Sequence, residues 1–391
     1  MSGAVMSGTR KKLKIGITCY PSLGGSGVIA TELGKLLAEE GHEVHFITSS
    51  MPFRLGKYYP NIFFHEVEVN HYSVFRYPPY DLTLASRMAQ VANREKLDIL
   101  HVHYAIPHAI CAILAKQMIE HPIKVITTLH GTDITVLGYD QTLKDMIKFG
   151  IEKSDLVTAV SESLIKETKE LLQVERPIHK VSNFVDKRVY YKRETDDLKN
   201  RLAPNGEKLI VHISNFRPVK RVMDVAKVFH RIAGALDAKL VLIGEGPDFP
   251  KVCAWLEEKS LCDRVVYLGK QEDTSAILSQ MDLMLLPSEQ ESFGLVALEA
   301  MACGVPVIAS NAGGLPEVIE HAKNGYTFPR GAIEEMAQAG IELLRNQTLY
   351  QQFATLAMER AKQHFCGHEI MKIYEELYFL VIKNEVSAPS I

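Results

Sequence analysis

Two carboxylates stand eight positions apart in the stretch Pro287-Ser288-Glu289-Gln290-Glu291-Ser292-Phe293-Gly294-Leu295, which runs on to Glu299. Leu295–Ala302 reads as a helix, so Glu291 falls on the loop before it and Glu299 in its second turn. The first N–H groups of a helix have no acceptor within it, so those of Phe293, Gly294 and Leu295, next to Ser292, are free to meet a ligand. One carboxylate can accept from sugar hydroxyls and the other from a ribose. Two solvated glutamates would share this spacing; the order of loop, glycine and helix favours the binding reading.

A second chemical stretch is Ser214-Asn215-Phe216-Arg217-Pro218-Val219-Lys220-Arg221. It follows an apolar run, Leu209–Ile213, and precedes a helical one. Three cations on such a loop suit a diphosphate, against the alternative of a solvated basic turn. The third is the turn Pro21–Gly27, where Gly25–Ala30 fits GxGxxA. The loop from Cys19 to Gly25 is long for a dinucleotide fingerprint. Thr48-Ser49-Ser50 also lacks the acid that would hold an adenosine ribose. What remains is a glycine turn opening a helix, where backbone N–H groups favour an anion, or a loop without a ligand.

Histidines mark further strand ends. His101 and His103 alternate on one strand and share a face; no third ligand is placed to make them a metal pair. His103 and His130 each lie near the carboxyl end of a strand, where a ligand is expected. The chain has no Asp-x-Asp, no GxxxxGK[ST] and no GxSxG. A metal-bound nucleotide, P-loop phosphoryl transfer and a hydrolase elbow are therefore not supported.

These residues need a scaffold, and the hydrophobic pattern supplies one. Short apolar runs at Leu13–Cys19, Glu43–Thr48, Ile99–His103, Val125–Leu129 and Leu156–Val160 alternate with helical stretches at Val28–Glu40 and Ala109–Ile119. Ser161 is placed to cap the helix after the last run. The rhythm resumes with strands at Leu209–Ile213, Leu240–Ile243, Val265–Leu268, Leu283–Leu286 and Val305–Ala309. Asp224–Ala233, Leu295–Ala302 and Glu369–Ile382 read as helices. Near-continuous apolar strands alternating with helices predict parallel sheets covered on both faces. The fold class expected is α/β, two Rossmann-like doubly wound domains facing across a cleft. A tail at 1–12, a first domain at 13–186, a polar linker at 187–208, a second domain at 209–368 and a C-terminal crossover helix and tail at 369–391 follow.

Composition agrees. The 391 residues are 47% hydrophobic and 23% charged, ordinary for a globular chain. With 44 Lys+Arg against 47 Asp+Glu the net charge is -3, so no global field grips a polyanion and nucleic acid is not an expected partner. No apolar run reaches the roughly 18 residues of a membrane span, and the first dozen residues carry no apolar signal core. Six cysteines without a CxxC pair fit a reducing cytoplasm.

Taken together the motifs resemble glycosyltransferase family 4, retaining enzymes of the GT-B fold. The resemblance runs from Leu13 to Ile382. It rests on Gly24-Gly25, His130-Gly131-Thr132-Asp133, Asn183–Asp186, Gly244–Pro247, Glu291 with Glu299, and Gly313–Glu317. The stretches ITCYPSLGGSGVIATELG and SNFRPVKRV narrow it to members that glycosylate L-malate, the first step of bacillithiol biosynthesis. The resemblance implies a UDP-N-acetylglucosamine donor, an L-malate acceptor, and no cofactor or metal. It gives Glu291, with the Ser292–Leu295 backbone, the donor sugar; Glu299 the ribose; Lys220 the diphosphate. It sets His130 beside the anomeric carbon and Gly24 and Gly25 against the diphosphate. Many members carry Arg where this chain has Asn215, so Arg217 stands in as the second cation. For the acceptor it points to Ser26, Tyr104 and Thr128, with Lys148 or Lys144 supplying charge. A homo-oligomer is compatible with this reading, and no membrane partner is expected. Other readings are another acceptor (a sugar phosphate or lipid, the latter suggested by the aromatic stretch Tyr72–Tyr80) and a nucleotide-sugar binding protein without turnover.

Overall fold

The computed structural model describes residues 11–21, 24–56, 58–69, 76–194 and 197–383. Most of the expected tail (1–10) and part of the aromatic stretch (72–75) lie outside the described residues. The chain divides into two compact units. One takes in residues up to Thr158, Thr168–His179 and the chain from Met371 on; the other takes in Ala159–Glu167 and Lys180–Ile370.

The first sheet comprises β1 (Lys14–Thr18), β2 (Glu43–Thr48), β3 (Ile62–Glu66), β4 (Ile99–His103), β5 (Lys124–Leu129), β6 (Leu156–Ala159) and β7 (His179–Lys180). Their order is β3-β2-β1-β4-β5-β6-β7. The second sheet comprises β8 (Lys208–Ile213), β9 (Ala238–Ile243), β10 (Val265–Gly269), β11 (Leu283–Leu286), β12 (Val307–Ser310) and β13 (Gly325–Phe328), in the order β10-β9-β8-β11-β12-β13. Both sheets start in the middle, wind outward one way, then return and wind the other. Strand order reverses between β1 and β4, and again between β8 and β11. These pairs are parallel, with Ile15 opposite Ile99 and Ile210 opposite Leu283. At such a point the connections leave in opposite directions, and the carboxyl ends open a crevice that takes ligands.

The strands read from apolar runs are the central ones. All five residues of β4 and all four of β11 are buried, as strands covered on both faces must be. In the second unit the helix Val222–Ala235 buries Val222, Val225, Ala226, Phe229 and Ile232 completely. Their spacing is one helical stripe, each large side chain contributing about 1.5–3 kcal/mol on leaving water.

The last helix is Gly367–Ile382, and its residues from Met371 on belong to the first unit. There Tyr374 and Tyr378 are fully buried. The Tyr378 hydroxyl lies 2.7 Å from His101 Nδ1, and Glu375 lies 3.0 Å from His42 Nε2. The stretch 187–208, read as a linker, falls inside the second unit and carries a helix, Asp197–Leu202. Lys199 pairs there with Asp282 at 3.0 Å, and Asp282 also accepts from the Leu209 N–H.

Candidate active site

In the second unit the chemistry gathers where β8 and β11 part. Lys220 ends the loop after β8, and Glu291 lies in the loop after β11. The Lys220 ammonium stands 2.6 Å from Glu291 Oε1, with both side chains mostly buried. The Ser288 hydroxyl donates to the same oxygen at 2.9 Å, and the backbone of Glu289 donates to Val219 O. The two loops are thus joined by side chains and by main chain.

Glycines let neighbouring loops approach them. A Cβ on Gly313 (φ +55°) would stand 2.0 Å from Glu291 O, and one on Gly314 2.4 Å from Ser292 O. The Gly314 N–H donates to Glu291 O at 2.8 Å. On the other side, a Cβ on Gly244 (φ +117°) would meet Ser214 O at 1.8 Å. Gly294 begins the helix Leu295–Ala302 in the left-handed region (φ +95°), which turns the chain from loop to helix with Glu291 held back against Lys220. Glu299 is buried in that helix.

His212 buttresses the basic loop. Its Nδ1 donates to Leu285 O at 2.9 Å, so its Nε2 accepts from the Ser214 hydroxyl at 2.8 Å. That hydroxyl in turn accepts from the Phe216 N–H. Burial pushes His212 down to about 4, which keeps it neutral beside Lys220. Asn215 and Arg217 are exposed on the same loop. Ser161 caps as expected, accepting from the Leu164 N–H; its hydroxyl also donates to Ser292 O at 2.6 Å, fixing the backbone beside Phe293.

The first unit repeats this arrangement where β1 and β4 part. Gly24 and Gly25 open the helix Gly25–Glu39 after β1, and Tyr104 directly follows β4. The Ser26 hydroxyl donates to the Tyr104 hydroxyl at 2.9 Å. Tyr104 sits at φ +90°, a conformation costing a non-glycine residue about 1–3 kcal/mol. Its neighbours hold it there: its N–H donates to Thr128 O at 2.9 Å. Fully buried Asp133 accepts from the Ala105 N–H with one oxygen and from the Gly131 N–H with the other, each at 3.0 Å. Asp133 thereby ties the loop after β4 to the loop that carries His130. Burial raises its carboxyl to about 6, with the backbone donors pulling the other way. His130 is half-buried, burial pushes it down to about 3, and its Nε2 lies 2.7 Å from His103 Nδ1.

Two residues expected at the acceptor are engaged elsewhere. Thr128 is fully buried, and its hydroxyl lies 2.7 Å from both His101 Nε2 and Thr158 Oγ1. The hydroxyl is enclosed by these partners, while the backbone carbonyl of Thr128 accepts from the Tyr104 N–H. Lys148 donates to Gln173 O at 3.0 Å, closing the carboxyl end of the helix Glu162–Leu172. Ser288, His212 and Asp133 were not given roles by sequence. The first lies three residues before Glu291 and the last inside the His130–Asp133 motif, so only their partners were hidden.

Among the described residues, Glu43, His45 and Glu95 bring ligand-type atoms within 4.8 Å of one another. Glu43 begins β2, at the amino end of the sheet, away from the loops above. Its carboxylate is paired with Lys14 at 2.7 Å and that of Glu95 with Arg94 at 2.6 Å. No helix among the described residues is long and apolar enough to cross a membrane.

Comparison with known proteins identifies the family and the fold. Residues 23–189 match the family model Glycosyltransferase Family 4, and residues 194–360 match Glycosyl transferases group 1. The chain is 57% identical over 375 residues to the N-acetyl-alpha-D-glucosaminyl L-malate synthase of Bacillus anthracis, covering 96% of this chain and 98% of that one. Among solved structures, sucrose-phosphate synthase from Thermosynechococcus elongatus superposes with a TM-score of 0.81 at 19% identity, over 95% of this chain and 100% of the other. Anabaena HepE in complex with UDP and glucose superposes with a TM-score of 0.79 at 19% identity, over 93% and 99%. The fold is GT-B, and the chain is a glycosyltransferase that belongs to family 4.

Proposed function

We propose that the enzyme moves N-acetylglucosamine from UDP-N-acetylglucosamine to the hydroxyl of L-malate with retention at the anomeric carbon, the opening step of bacillithiol biosynthesis. The observation that carries the choice of substrates is the 57% identity, over nearly the whole of both chains, to the Bacillus anthracis synthase. The geometry supports the chemistry. Breaking the anomeric C–O bond puts negative charge on the departing UDP and positive charge on the sugar. Catalysis then depends on fixed donors and cations standing where that charge develops.

In this reading Lys220, with Arg217 on the same loop, neutralises the diphosphate, and the N–H groups of Phe293, Gly294 and Leu295 add to it from the helix start. Glu291 accepts from the sugar hydroxyls, oriented by Ser288 and Lys220. Glu299 accepts from the ribose. In the first unit, Gly24 and Gly25 offer backbone N–H groups to an anion, Ser26 and Tyr104 receive the malate, and His130 stands by the reacting carbon. The malate hydroxyl attacks from the face the UDP leaves, and a leaving phosphate oxygen takes its proton, so the reading needs neither a covalent nucleophile nor a metal or cofactor. We place the reaction in the cytoplasm. All six cysteines are free, and burial pushes the thiols of Cys19, Cys111 and Cys303 up to about 12, as suits unreactive thiols in a reducing compartment.

UDP release from UDP-N-acetylglucosamine, measured against a panel of hydroxy acids, sugar phosphates and lipid headgroups, tests the assignment. Release stimulated by L-malate well above every other acceptor is the expected result; a better acceptor of another class overturns it.

A further inference from the structure

His103 and His130 come from adjacent strand ends, and their rings meet edge to edge. His103 Nδ1 lies 2.7 Å from His130 Nε2, with ring centroids 5.0 Å apart and planes 24° from parallel. One nitrogen must donate and the other accept, since each neutral imidazole carries one N–H and one lone pair. Burial depresses both rings, His103 well below the ordinary imidazole range, so both are neutral. Which ring donates decides what His130 offers at its other nitrogen.

The far side of His103 answers this. Its Nε2 is buried and has no hydrogen-bond partner among the described residues. A proton there would be a buried donor with nothing to receive it, and orphaned buried N–H groups are rarer in folded proteins than under-satisfied acceptors. The neighbouring ring provides a control. His108 Nδ1 lies 2.6 Å from His103 O. A carbonyl can only accept, so His108 carries its proton on Nδ1 and its Nε2 is a bare lone pair. That Nε2 is likewise buried without a partner. In the ring whose protonation the geometry dictates, the unpartnered nitrogen is the unprotonated one.

From this pattern we infer that His103 carries its proton on Nδ1, donates to His130 Nε2, and so fixes His130 as the tautomer whose Nδ1–H faces the reacting groups. His103 is then a positioning residue, and His130 meets its ligand as a hydrogen-bond donor to a sugar or diphosphate oxygen. It cannot serve as the base that deprotonates the malate hydroxyl. The inference rests on the reading of His130 as a residue beside the reacting carbon.

The test is a long-range proton–nitrogen spectrum of the uniformly ¹⁵N-labelled full chain, with His130 identified by the signals lost in His130→Gln. The expected result is a pyrrole-type Nδ1 and a pyridine-type Nε2 at neutral pH. A His130 that is protonated on Nε2, or charged, overturns the inference without any variant at 103. For function, His103→Asn keeps an N–H donor near Nε2 and should keep both the tautomer and most of the turnover. His103→Leu removes the donor and should lower kcat about 10- to 100-fold, as loss of a partner that orients a functional histidine does, with both KM values little changed. A His103→Leu enzyme with wild-type kcat, measured where His130→Gln is impaired, overturns the positioning role. A His130→Gln enzyme with full turnover overturns instead the placement of His130 at the reacting carbon, and with it the catalytic half of the inference, whatever the spectrum shows.

Discussion

The Lys220 ammonium and the Glu291 carboxylate meet at 2.6 Å across the point where the second sheet reverses its strand order. The cation assigned to the leaving group and the acid assigned to the sugar are thus direct neighbours. Each holds the other in a fixed geometry, and that preorganisation is what a charge-separating transition state requires. Lys220→Ala should therefore lower kcat about 10²- to 10³-fold, the size expected for losing one preorganised donor, with a smaller effect on malate KM. Steady-state kinetics at saturating donor reads this directly, and unchanged turnover would defeat the assignment.

Glu291 can be tested for the rival role of nucleophile. Its carboxylate accepts from both Lys220 and Ser288, which suits a hydrogen-bonding site for hydroxyls. Glu291→Gln keeps the shape and loses the charge, so it should raise donor KM and lower kcat. Intact-protein mass spectrometry after rapid quench should find no glycosyl adduct on the wild-type chain. A stoichiometric adduct mapped to Glu291 would replace front-face attack with a covalent route.

Ser26 and Tyr104 share a hydrogen bond of 2.9 Å across the corresponding point of the first sheet. Ser26→Ala and Tyr104→Phe should each raise malate KM and leave donor KM nearly unchanged. Combined, they should be non-additive by about 0.5–3 kcal/mol, as residues in direct contact are. Additive effects would mean that the hydroxyls act independently.

Two glycine substitutions should move stability in opposite directions. Gly313→Ala places a methyl group 2.0 Å from Glu291 O at a positive φ and should cost about 1–3 kcal/mol or more, with activity falling as the loop shifts. Gly234 lies within the helix Val222–Ala235, with nothing within 4 Å of its would-be Cβ. Gly234→Ala should stabilise by about 0.4–1 kcal/mol. Denaturant melts of both variants provide the check; a neutral Gly313→Ala would show that the loop does not depend on this close approach.

The buried histidines predict acid sensitivity. Burial holds His101 and His130 near 3, His108 and His212 near 4, and His103 well below its ordinary value. An unfolded imidazole titrates near 6.5, so below that pH the unfolded chain takes up protons that the native state refuses. The stability these groups contribute is complete above about pH 6.5 and is lost as pH falls toward 3–4. Asp133, raised to about 6, acts in the opposite sense between about pH 4 and 6, where the native state keeps a proton the unfolded chain releases. Five groups outweigh one, so the melting temperature should fall from pH 7 to pH 5. A flat or rising profile would contradict these environments.

The central strands and the loops after them were legible because burial on both faces forces unbroken apolar runs, and polar residues directly after such runs stand out. Glu43–Thr48, Ile99–His103 and Leu283–Leu286 were read to the residue. The edge strands Ile62–Glu66 and Gly325–Phe328, whose residues are mostly only partly buried, were not; the edge strand Val265–Gly269, as exposed as these, was, short of its last residue. The helix Tyr80–Glu95 was also missed, although it buries Leu84, Ala85, Met88, Ala89, Val91 and Ala92 along one face. In the site, residue types were readable but partners were not. Nothing in the spacing of Thr128 says that its hydroxyl lies between His101 and Thr158, or that Lys148 ends on Gln173 O. Those contacts join residues distant in the chain and exist only once the sheet has formed.

The most direct measurement of the central claim is the configuration of the product. Incubating the enzyme with UDP-N-acetylglucosamine and L-malate and reading the anomeric proton by NMR should show an α-linked N-acetylglucosaminyl malate, formed in step with UDP. A β-linked product, or UDP released as fast without malate as with it, would contradict retaining transfer to this acceptor.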